Sequence, residues 1–147
     1  GLQIAGLPGR WFTELASPPN GEIQENLSLD RRLGAIGDSA VVEALGLGAM
    51  QISSAPEQLK VFKSVLPVNY QARSDFLKMD NHYDFNKATP KIGIAIRSIN
   101  NFESGPLVAL GIIDRAGDLG RIGGGIYDPP LKLFKSAIDA LDLSHEH

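Results

Sequence analysis

Apolar residues recur along this chain at two periods, and the change of period separates helices from strands. Leu59, Phe62 and Leu66 are spaced three and four apart, as on one face of a helix. Ser54 followed by Glu57 has the form of a capping box, Pro56 falls in the first turn, and Pro67 ends the pattern. Leu131, Phe134, Ile138 and Leu141 give a helical stripe near the end of the chain, with Asp128 as its cap and Pro129 in its first turn. A shorter helix is predicted over residues 40–45, with Asp38 or Ser39 at its N-cap and Gly46 as the residue that closes it. Ile92, Ile94 and Ile96 alternate strictly, the period of a half-buried strand. Residues 107–113 are a continuous apolar run of strand length, 114–118 read as a turn, and 120–127 return as a glycine-rich strand.

The remaining stretches are less regular. Residues 1–36 are rich in Gly, Pro, Asn and Ser, and predict a short strand or two followed by loop. Residues 67–90 are polar and mixed, and predict loops or a short helix around residues 73–79. Helices come early, strands cluster in the second half, and a helix closes the chain. That order predicts an α+β fold, in which a small, mostly antiparallel sheet from the second half packs against several helices. The expected organisation is an irregular N-terminal segment over residues 1–33 and one domain over 34–147.

Composition narrows the function classes. The chain has 147 residues, of which 43% are hydrophobic and 21% charged, so it can bury a core and is not a disordered sequence. A net charge of −3 gives no footprint for nucleic acid or for an anionic membrane. With no cysteine, thiolate catalysis, disulfides and Cys-based zinc sites are excluded, and a cytoplasmic protein is the expectation. No apolar run approaches the roughly 20 residues of a membrane helix. The chain opens on Gly1 rather than Met and closes on Ser144-His145-Glu146-His147, ends expected of a fragment or processed product.

Three segments in order carry a resemblance. The first is residues 37–49, from Gly37-Asp38-Ser39 to Gly46, Gly48 and Ala49, with Ala55-Pro56 shortly after. The second is residues 110–115, ending in Asp114-Arg115. The third is residues 120–126 with their glycine run, followed by Pro129-Pro130 and a helical tail. Together they resemble the C-terminal part of the AllG-like family of oxamate carbamoyltransferase subunits, over roughly residues 34–141. The resemblance implies a part in carbamoyl transfer between carbamoyl phosphate and oxamate, in anaerobic allantoin-nitrogen metabolism, within a multisubunit enzyme. It implies small anionic substrates and other subunits as partners. A homo-oligomer is also possible, and no cofactor is expected.

Carbamoyl transfer needs anion-binding groups and donors to an oxygen that gains charge, and little covalent chemistry from the protein. Gly37-Asp38-Ser39 has the form of a turn opening a helix, where backbone N–H groups face an anion. There Ser39 can donate to a phosphate oxygen, Asp38 can orient an amide, and Glu43 lies one turn on. Asp38 and Glu43 are therefore the candidate catalytic residues, with Gly37 and Ser39 as substrate-binding candidates. Arg97, at the end of the strand expected over 92–96, and Arg121 are candidates for pairing with a carboxylate or phosphate. Gly123 and Gly124 would let backbone approach a ligand. Each has a structural reading beside the functional one: a helix cap for Asp38 or Ser39, a bulge or tight packing for the glycines, a hairpin turn for Asp114-Arg115. His82, His145 and His147 make no metal site, and Asp80 to Asp84 follow no metal-ligand spacing. Two other functions stay open, a non-catalytic assembly module and a small-anion-binding domain without turnover.

Overall fold

The computed structural model describes residues 1–81 and 91–145, with backbone alone at 78–81. His82, Asp84 and His147 lie outside the described residues. The fold is α+β, with a three-stranded antiparallel sheet and helices around it. Strand β1 (Asn20–Ile23) and strand β4 (Val108–Ile113) flank a central strand β5 (Arg121–Tyr127). The glycine-rich strand thus lies in the middle, and the first 33 residues supply one edge of the sheet. A second, two-stranded antiparallel ladder pairs β2 (Lys78–Asn81) with β3 (Lys91–Ile94).

The helices are α1 (Ser39–Ala44), α2 (Pro56–Phe62), α3 (Tyr70–Leu77), α4 (Ile96–Phe102) and α5 (Leu131–His145). Among the described residues no helix is long and apolar enough to cross a membrane. One core cluster gathers Met50, Leu77, Ile99, Leu107, Ile126 and Phe134, with Phe62 and Leu131 packed against it. A second lies under α5, where Leu133, Ala137 and Ala140 meet Phe12. Leu2 and Phe12 exchange backbone hydrogen bonds of 2.8 and 2.9 Å, so the first dozen residues fold back onto α5. Burying each large apolar side chain in these clusters contributes about 1.5–3 kcal/mol.

Four local expectations are corrected. The Ile92–Ile94 alternation stops there, because Gly93 has φ +78° and Ala95 leads into α4. Ile96 and Arg97 are the first residues of that helix, and Ile96 and Ile99 share the helical spacing. Ser54 is not the cap of α2. It ends a 3-10 helix (Ala49–Ser54), its Oγ accepts from Gln51 Nε2 at 2.7 Å, and Ala55 holds the cap position without a side-chain bond. The helix closes at Phe62, short of Pro67. Asp128 does not cap α5, which starts at Leu131 after both prolines. Its carboxylate instead pairs with Arg73.

Candidate functional site

The corner at the start of α1 is open. Gly37 has φ +125°, a conformation that favours glycine, and nothing lies within 4 Å of where its Cβ would stand. Asp38 is exposed and occupies the N-cap position, but its side chain makes no cap hydrogen bond. Ser39 is half-buried. Glu43 behaves differently. It is 2% exposed, and its carboxylate turns inward to accept the amides of Gly48 at 2.8 Å and Met50 at 3.2 Å. It ties α1 to the following 3-10 helix. Gly46, with φ +72°, makes the intervening reversal possible, as its place in the sequence predicts.

Arg121 sits at a bulge. The β4–β5 register passes from Ile112↔Gly123 to Ile113↔Arg121, leaving Ile122 as the extra residue on β5. Bulges of this kind re-aim a side chain. Arg121 lies across Gly111 and Gly124, which are register partners: a Cβ on Gly111 would stand 3.1 Å from its Nε, and one on Gly124 3.5 Å from its Nη2. Arg121 Nε donates to the Gly123 carbonyl at 3.0 Å, which holds the guanidinium in place. Among the described residues its two Nη atoms hold no hydrogen bond or ion pair.

Between this floor and α2 runs a cleft of about 180 Å³. Phe62 and Val65 wall it, with Ser64 beside them. Glu22 lines it from β1, opposite Gly124 in the register and so on the same face of the sheet. Of the residues singled out from sequence, Arg121 and Gly124 therefore meet in one cleft. Gly123 meets the packing expectation instead. A Cβ there would fall 2.1 Å from the Glu22 carbonyl, so glycine is what lets β1 approach β5. Arg97 is separate from the cleft. Its Nη1 pairs with Asp142 of α5 at 2.7 Å, both side chains half exposed. Glu22, Phe62 and Gly111 escaped the sequence reading, since only strand register and the seat of α2 bring them to Arg121.

Two further ion pairs frame the sheet. Asp114, 2% exposed, accepts from Arg31 and from the amides of Ala116, Asp118 and Leu119, closing the β4–β5 turn. The Arg31 hydrogen bond, helped by these amides, lowers the Asp114 carboxyl to about 2. Arg73, buried in α3, meets Asp128 through two bonds of 2.8 and 2.9 Å. Its Nε donates to Asn69 at 3.0 Å and its Nη1 to the Gly105 carbonyl at 3.3 Å. Beside this pair lies a shallower cleft of about 300 Å³. Arg73 is already spent on its partners there, so that cleft offers no free cationic group.

The chain is similar to AllG along nearly its whole length. It is 28% identical, along 96% of its length, to "Oxamate carbamoyltransferase subunit AllG" of Escherichia coli (strain K12), of which it covers 36%. It is 27% identical, along 94% of its length, to "Uncharacterized protein YahG" of the same organism, of which it covers 31%. The chain thus spans about a third of the length of the curated relatives it matches. A crystal structure of a conserved protein of unknown function from Enterococcus faecalis V583 shares the fold with a TM-score of 0.74 at 23% identity, over 91% of this chain and 34% of that one. No family model matches.

Proposed function

We propose that this chain forms part of a carbamoyltransferase subunit, acting on carbamoyl phosphate and oxamate or a related small acid. The observation that carries the reading is the similarity, along nearly the whole chain, to a protein named as an oxamate carbamoyltransferase subunit. The chemistry is positioning and electrostatic stabilisation rather than covalent catalysis. Arg121, held by Gly123 and with its Nη atoms open to the cleft, neutralises an anion. Asp38, exposed beside Gly37 and Ser39, orients an amide of the substrate. Glu43 is a positioning residue, because its carboxylate holds the loop behind α1. Arg97 has no role in this reading, being engaged by Asp142. Other subunits complete the enzyme, as the word subunit in the relative's name suggests.

A second reading has its own observation. Ile36, Val41, Val42 and Leu45 stand 59, 71, 49 and 52% exposed around α1, an apolar face suited to an assembly interface. Replacing Asp38 by Ala and Val41 by Asp in the assembled enzyme separates the two. If Asp38 belongs to the site, D38A lowers kcat for transfer from carbamoyl phosphate to oxamate by at least roughly tenfold, with assembly intact by size-exclusion chromatography. If α1 is only an interface, D38A leaves the rate unchanged and V41D dissociates the assembly.

A further inference from the structure

We propose that the outer face of α1 is a self-association surface, on which a second copy of this chain docks with its own α1 running antiparallel. This deepens the assembly-interface reading by naming the occupant, and it rests on that reading for the face itself.

Helix α1 is built inside out. Its one charged residue, Glu43, is 2% exposed and turned toward the Gly48 and Met50 amides. Ala40, Val41, Val42 and Ala44 are exposed, as is Leu45 at the C-cap. A surface helix in water ordinarily shows the reverse pattern. A turn of about 100° per residue sets Val41 and Leu45 opposite Glu43, at the crest of the outer face. Ala40 and Ala44 then run along one flank of that crest, and Val42 lies on the other.

Two features point to a copy of the same chain as the occupant. The first is shape. Val41 and Leu45 are four apart and form a ridge, and Ala40 and Ala44, also four apart, form a shallow row beside it. One helix therefore carries both a ridge and the groove that takes it. A two-fold axis across α1 seats the ridge of each copy on the alanine row of the other, an isologous arrangement in which one patch serves both partners. The second feature is charge. From Leu33 to Pro56 the only charged residues are Asp38 and Glu43. Glu43 is buried, and Asp38 stands at the N-terminal end of the helix. Antiparallel helices put the two Asp38 side chains at opposite ends, so no like charges meet. A different partner steered by charge would find nothing complementary on this face. One short helix and its flanks bury less than the roughly 800 Å² per partner of a standard stable complex, so the dimer is concentration-dependent.

The test is sedimentation equilibrium of the 147-residue chain in a dilution series reaching about 1 mM, which covers weak association. The expected result is a monomer–dimer equilibrium that stops at two copies. V41D and L45D are each expected to weaken it at least tenfold. V68D, at a position 103% exposed between α2 and α3, is expected to leave it unchanged. Val41 is 71% exposed, so V41D keeps its fold, which far-UV circular dichroism checks. A44L fills the alanine row without adding charge and is expected to weaken the dimer too, which a merely greasy patch would not do. Isotope-filtered NMR is expected to show contacts from the Val41 and Leu45 methyls of one copy to the Ala40 and Ala44 methyls of the other. A chain that stays monomeric throughout the series, growth beyond two copies, or a dimer indifferent to V41D and L45D or tightened by A44L would overturn the proposal. V41D in the assembled enzyme separates this failure from that of the assembly reading. A monomeric chain, with V41D dissociating the assembled enzyme, sinks the second copy and spares the interface, whose occupant is then another subunit. A monomeric chain, with an assembly untouched by V41D, sinks both.

Discussion

Arg31 and Asp114, 83 residues apart in sequence, meet through two parallel bonds of 2.9 and 2.6 Å. The pair fastens the segment after β1 to the turn between β4 and β5, where Leu33 also donates to the Ile113 carbonyl at 2.9 Å. Because the folded carboxyl titrates at about 2 against an ordinary 3.8, the folded state favours the ionised form. The contribution is complete above the ordinary value and is lost as pH falls from there toward 2. Thermal melts of the wild type and D114N are expected to differ most near neutral pH, with D114N the less stable. The gap closes on acidification through this window. A gap that is constant from pH 7 to 2 contradicts the account.

Much of the architecture was legible because local patterns agree with the tertiary result. Strands β4 and β5 follow from a continuous apolar run, a turn and a returning glycine-rich run, and the stripe of α5 is buried at Phe134, Ile138 and Leu141. Helix α4 was not legible. Two isoleucines alternate in β3 and the third begins a helix, so three evenly spaced residues belong to two elements. The box at Ser54 and Glu57 failed since Ser54 was already engaged by Gln51 in the preceding 3-10 helix. At the cleft, Arg121 and Gly124 were visible as residue types. Glu22 and Gly111 become relevant only through register, which a single sequence does not specify. The paired carboxylates of α1 looked alike in sequence, and burial alone distinguishes them.

That distinction makes a second prediction. E43A would leave the Gly48 and Met50 amides without the carboxylate they share, at a cost of about 2–3 kcal/mol by the usual penalty for orphaned buried donors. D38A removes an exposed side chain that makes no cap bond, and is expected to change stability by about 0.5 kcal/mol or less. Urea unfolding of both variants measures the difference. Comparable losses would mean that Asp38 caps α1 in solution.

Arg73 and Asp128 give a third. Removing one partner of a pair whose other member is buried is costlier than replacing the buried member by an apolar side chain. D128A strands the Arg73 guanidinium with Asn69 and the Gly105 carbonyl, and is expected to cost about 3 kcal/mol. R73M keeps the volume and removes the charge, and is expected to cost less than D128A. Denaturation midpoints at neutral pH, with unchanged slopes, check the order. R73M proving the more damaging variant would show that the bonds to Asn69 and Gly105 matter more than the charge.

Adjacent glycines of β5 should respond oppositely to the same added methyl group. At Gly123 the methyl would fall 2.1 Å from the Glu22 carbonyl oxygen and 3.0 Å from the Ile23 Cα, and both obstacles are backbone. Backbone in a central ladder yields only by parting the strands, so G123A has to push β1 away from β5. Overpacking of this severity costs about 2–3 kcal/mol. At Gly124 the nearest atoms belong to Arg121 and Phe62 side chains at ordinary contact distance, and G124A is expected to stay within about 1 kcal/mol of the wild type. Hydrogen exchange gives the localised readout. G123A should speed exchange of the amides that join β1 to β5 while those between β4 and β5 stay protected, and G124A should disturb neither set. Equal stability of the two variants would mean that β1 does not sit against β5 at this separation, and with it Glu22 would lose its place beside Arg121.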